Sequence, residues 1–105
     1  MAEATPAVVE VWLRSRTAAA PAALRSRVLE HARSETGAGE LPEHLALAAE
    51  RVLSIVEEHP GDRGVALDLL AADALITLAL LAESEVAPET LGRFTEGLLS
   101  AERGV

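Results

Sequence analysis

Residues 63–84, RGVALDLLAADALITLALLAES, constrain this chain more than any other stretch. Wound as a helix at about 100° per residue, the segment places Val65, Leu69, Ile76 and Leu80 on one side. Leu67, Leu70, Ala74, Leu78 and Leu81 fall nearly opposite. Between these leucine faces lie a small-residue sector (Ala71, Ala72, Ala79, Ala82, with Leu75) and a narrow line of Ala66, Asp73, Thr77 and Ser84. A helix apolar around most of its circumference is buried, either as the middle of a bundle or as a subunit contact. The stretch is also long enough to approach a bilayer span. Asp68 and Asp73 would each cost about 2.5 to 3.5 kcal/mol near mid-membrane, and no basic flank anchors either end, so the expectation is a helix without a membrane role.

Proline placement organises the remainder. Pro6, Pro21, Pro42 and Pro88 each stand three residues before an apolar one (Val9, Leu24, Leu45, Leu91), as expected of proline in a first helical turn. Pro60 should end a helix, and Gly61-Asp62 then supplies a turn and an N-cap. The reading is an all-α, single compact bundle of five helices at about 6–16, 21–35, 42–58, 63–84 and 88–102, forming one domain over residues 1–105. The fourth helix is central, packed by the third and fifth and flanked by the first two. Gly37 to Gly39 should close the second helix, and residues 103–105 should fray.

The expected inner faces are Val8, Val11, Trp12 and Ser15 in the first helix, with Val9 and Leu13 widening the stripe. In the second they are Leu24, Val28, His31 and Ala32; in the third Leu45, Ala48, Ala49, Val52, Ile55 and Val56; in the fifth Leu91, Phe94, Leu98 and Ala101. Trp12 is the anchor of its helix or an interface hot spot. Leu47 is stranded among acids, where a partner might cover it. Gly92 and Gly97 either allow a close helix crossing or leave the last helix loose.

Cysteine is absent, which excludes disulfides, zinc-thiolate sites and cysteine nucleophiles. All nine cations are arginine, and the net charge is −8. That charge is uneven: residues 1–36 carry five Arg against four Glu, the rest four Arg against thirteen acids. Such a field disfavours nucleic acid over the C-terminal two thirds. Two RSR triplets offer Arg14, Arg16, Arg25 and Arg27 as a small cationic patch, weak ground for nucleic-acid binding without aromatic interleaving. Glu3 and Glu10 near the start, with no basic segment leading into an apolar run, point to the cytoplasm.

Chemistry has few candidates. Three Glu-His dipeptides occur, but adjacent helix residues diverge by about 100° and no helical metal spacing is met, so neither a metal nor a cofactor is expected. Only Glu40 and Glu43 have half the paired-acid spacing of a helical phosphohydrolase. Asp68 stands out, because it points into the alanine sector beyond any capping role. If buried it needs an Arg or His partner; the alternatives are a ligand-binding carboxylate or exposure. Asp73 and Thr77 mark a strip left open to water. The leading functional expectation is a non-enzymatic protein–protein interaction module, a small subunit, adaptor or assembly factor that associates with itself. The alternatives are a small enzyme or ligand-binding bundle using Asp68, Asp73, Thr77 or His31, and a regulator binding nucleic acid through the N-terminal arginines. Leu78→Glu is the substitution expected to break self-association.

Overall fold

Thr5 opens the first helix of the computed structural model, which describes residues 5–36 and 39–102. Its hydroxyl accepts from the Val8 N–H at 3.3 Å, Pro6 takes the first helical position, and α1 runs Pro6–Arg16. Pro21 caps rather than starts α2, Ala22–Ser34, its ψ of 142° keeping it extended. Leu41 joins the helix ahead of Pro42, so α3 spans Leu41–Glu57. Pro60 and Gly61, the latter at φ +79°, turn the chain. The Asp62 carboxylate then accepts from the Gly64 N–H at 2.7 Å, capping a single 3₁₀ turn, Arg63–Val65, that feeds α4, Ala66–Val86. A second such turn, Pro88–Thr90, leads into α5, Leu91–Glu102. The five predicted helices are therefore present, the fourth running two residues past its expected end. The closing role of Gly37, the 103–105 tail and the Ala101 side chain lie outside the described residues.

The core forms where alanines meet alanines. Ala71, Ala72, Leu75 and Ala79 of α4 and Leu45, Ala48, Ala49 and Val52 of α3 are all fully buried, and α3 is the principal neighbour of α4, with α2 second. Small side chains let two helix backbones approach closely, so the alanine sector, not a leucine face, is the inner side of α4. Leu75 is fully buried and belongs to the same core as Val28, Leu13 and Leu98. Within one chain the leucine faces of α4 are covered only in part. Leu69, Leu70 and Leu81 are 50%, 56% and 39% exposed, whereas Leu78 is buried.

Residues Arg63–Val86 are long and apolar enough to cross a membrane by length and composition, with a hydropathy of 2.1 over an 18-residue window. A third of that window is buried in the bundle.

The first helix is rotated from its expected orientation. Val9 and Leu13 are buried, while Val8 and Val11 are exposed. The apolar arc of α1 is wider than the narrow ridge it lays on α2, and only the neighbours decide which edge goes in. In α5, Leu98 is buried and Phe94 packs against the core. A Cβ on Gly92 or Gly97 would meet nothing within 4 Å, so neither glycine serves a close crossing. The radius of gyration is 13.2 Å, close to the ~13 Å of a compact domain of this size.

Candidate functional site

Asp68 lies in the first turn of α4, on the inward side, where α2 crosses it. It is 7% exposed. Its Oδ1 accepts from Arg27 Nη1 at 3.1 Å and from His31 Nε2 at 2.8 Å, both on α2. A carboxylate has no proton to give, so the His31 ring must carry hydrogen on Nε2. The spacing explains the pair: Arg27 and His31 are i and i+4 on α2 and reach one acceptor from successive turns. The His31 carbonyl in turn accepts from Arg51 Nη2 of α3, which also pairs with Glu35 at 3.5 Å. Three helices are thus tied through His31. Arg27, offered by the sequence as part of a cationic patch, instead spends its guanidinium on Asp68, leaving that side chain 34% exposed.

The other sequence candidates are not gathered at this point. Asp73 and Thr77 face solvent on the opposite side of α4, the Thr77 hydroxyl donating to the Asp73 carbonyl at 3.1 Å. Leu47 is 37% exposed on α3. Trp12 is half-buried: its Nε1 donates to Glu85 Oε1 at 3.2 Å, and the Arg16 guanidinium lies 5.2 Å from its ring centre. With Ala7, Val8, Val11 and Ser15 it lines a shallow apolar trough on α1.

Several linking groups escaped the sequence reading. His44 is buried and donates from Nε2 to the Ala32 carbonyl at 2.9 Å. Glu83 is buried at the end of α4, accepting from the Thr90 hydroxyl at 2.6 Å. Glu10 accepts from Arg33 at 2.7 Å and from Arg14 at 3.3 Å, and the Arg33 guanidinium chiefly holds its carboxyl below the usual 4.5. Glu85 accepts from Arg16 at 2.8 Å, and that contact first, then the Trp12 N–H, lowers its carboxyl likewise. Only Glu10 and Arg14, at i and i+4 on α1, are marked by the local sequence; the contacts of His44 with Ala32, Glu10 with Arg33 and Glu85 with Arg16 join residues on different helices.

The N-terminal arginines do not converge on one patch. Arg14 is engaged with Glu10, Arg16 with Glu85 and Arg27 with Asp68, while Arg25 reaches the Ala18 carbonyl at 3.5 Å. A cavity of about 30 Å³ lies between α1, α2 and His44, lined by Val9, Leu13 and Leu29 among others. That is room for a water or two, not a metabolite.

The largest chemically unspent feature is the outer side of α4. Leu69, Leu70 and Leu81 are exposed there, with half-buried Ala74, Ile76 and Leu80 beside them and Asp73 and Thr77 running down the middle. No family model, curated protein or solved structure matches this chain.

Proposed function

We propose that this protein is a non-enzymatic, self-associating interaction module of the cytoplasm, a small subunit or adaptor, and that the outer face of α4 is its binding surface. One observation carries the reading: Leu69 and Leu70 near one end and Leu81 near the other are exposed on the most apolar helix of the chain. Burying a leucine fully is worth roughly 1.5 to 3 kcal/mol. An acidic domain gains nothing by exposing three leucines on one side of a helix, and exposed apolar surface of this kind marks interaction sites on small proteins. The thin polar line through the patch keeps the free chain soluble and gives a partner something to read.

The ligand-binding and nucleic-acid alternatives draw less support. Asp68 Oδ1 is engaged by His31 and Arg27, and Arg14 and Arg16 are engaged by intrachain acids.

The test is a pair of glutamates. Leu70→Glu places a charge on the exposed face and should abolish association while leaving the helical circular dichroism intact. Leu78→Glu buries a charge in the core and should unfold the protein instead of merely separating subunits. An unchanged association state in folded Leu70→Glu would rule the surface out.

A further inference from the structure

We infer that α5 is a hinged strap, which leaves and rejoins the bundle as a unit while α1–α4 stay folded, and so gates the surface of α3 and α4 on which it lies. The polar bonds between helices are unevenly placed. Glu10 and Arg33 join α1 to α2, and Trp12 and Arg16 join α1 to Glu85 of α4. Arg27 and His31 join α2 to Asp68 of α4, and His44 and Arg51 of α3 each donate to a backbone carbonyl of α2. Among the described residues, no side-chain hydrogen bond or ion pair joins α5 to any of these helices; the Thr95 hydroxyl donates within its own helix, to the Leu91 carbonyl at 2.9 Å. The seat of α5 on α3 and α4 is apolar and narrow. Leu98 is the one described residue of α5 that is buried, Phe94 packs half-buried beside the core, and Leu99 is 42% exposed.

The helix itself is easily unwound. Glycine in a helix interior costs stability because it gives up more conformational freedom on folding than alanine does. A Cβ at Gly92 or Gly97 would meet nothing within 4 Å, so these glycines do not serve packing; their effect is to lower the cost of opening α5. The pivot, by contrast, is pinned. Glu83 is buried at the end of α4 and accepts from the Thr90 hydroxyl at 2.6 Å, which fixes the 3₁₀ turn Pro88–Thr90 to the bundle. Ala87, at φ −150° and ψ 73°, separates that turn from α4, so no continuous helix links the unwinding of α5 to that of α4. Segments with few buried apolar contacts open at lower free energy than the core, in cooperative units. Departure of α5 uncovers, in a minor state, apolar surface of α3 and α4 that the closed chain hides, unlike Leu69, Leu70 and Leu81. The strap operates whether or not those outer leucines bind a partner.

Native-state hydrogen exchange of the full chain tests this, read residue by residue by NMR from zero to sub-denaturing urea at one protein concentration. The amides of residues 95–100 should exchange about a hundredfold or more faster than those of residues 75–82 in α4, with one shared urea dependence smaller than that of α4. Gly92→Ala combined with Gly97→Ala should slow the α5 amides by about five- to thirtyfold. Exchange of α5 at the rate and urea dependence of α4 would reveal a single cooperative bundle and overturn the strap. So would α5 amides that ignore urea and exchange progressively faster toward residue 100, since that is fraying and not the departure of a unit. An unchanged α5 rate in the double alanine variant overturns the role given to the glycines.

Discussion

Replacing Asp68 by alanine tests the internal role assigned to the most unusual residue of α4. The carboxylate is 7% exposed and holds two donors, Arg27 at 3.1 Å and His31 at 2.8 Å. Breaking a fully buried ion pair from one side costs about 3 to 5 kcal/mol, because the abandoned partner stays charged in a poor solvent. Here the Arg27 side chain is 34% exposed and can recover part of its hydration, which lowers the cost to about 2 to 3 kcal/mol. At about 4 °C per kcal/mol for a domain near 100 residues, the melting temperature should fall by about 10 °C. Asp68→Asn keeps an oxygen acceptor and should lose about half as much. The assay is urea unfolding followed at 222 nm at fixed protein concentration, since association would add its own stability. A double-mutant cycle with Arg27→Ala should return a coupling of about 1 kcal/mol or more. If Asp68→Ala leaves stability within about 0.5 kcal/mol of wild type, or raises it as removal of a functional carboxylate often does, the structural assignment is wrong.

The remaining predictions are simpler. Gly92→Ala and Gly97→Ala, on a helix with open space at both positions, should each stabilise by about 0.5 to 1 kcal/mol; a loss in thermal melts would mean the α5 backbone is not helical there. The Glu10 and Glu85 carboxyls are held below their ordinary 4.5 in the folded chain. Their contribution is therefore complete above that value and disappears as acid carries the pH through their folded values. Stability measured from pH 6 downward should begin to fall below about pH 4.5, and more weakly in a Glu10→Gln, Glu85→Gln variant; an identical acid profile in both proteins would contradict the assignment.

Much of this architecture is legible in the residues. Prolines and the Gly61-Asp62 turn punctuate the helices because their constraints are local. The inner stripe of α3 is read correctly, since Leu45, Ala48, Ala49 and Val52 leave no competing face. What escapes is whatever depends on a neighbour. The wide apolar arc of α1 fits two orientations, and only α2 selects Val9 and Leu13 over Val8 and Val11. On α4 bulk is misleading: the leucines suggest the contact faces, yet the alanines face α3 because close backbone approach needs small side chains. Asp68 shows both sides of this limit. Its need for an Arg or His follows from its place in an apolar helix, while the choice of Arg27 and His31 depends on how α2 crosses. Asp73 and Thr77 are open to water as their position implies.

Sedimentation equilibrium of the wild-type chain across a range from about one to a few hundred micromolar tests the central claim most directly. The account predicts a mass rising from that of the 11.0 kDa chain toward twice that value, with Leu70→Glu remaining at the lower mass and retaining its helical content. A wild-type protein that is monomeric at every concentration would contradict it.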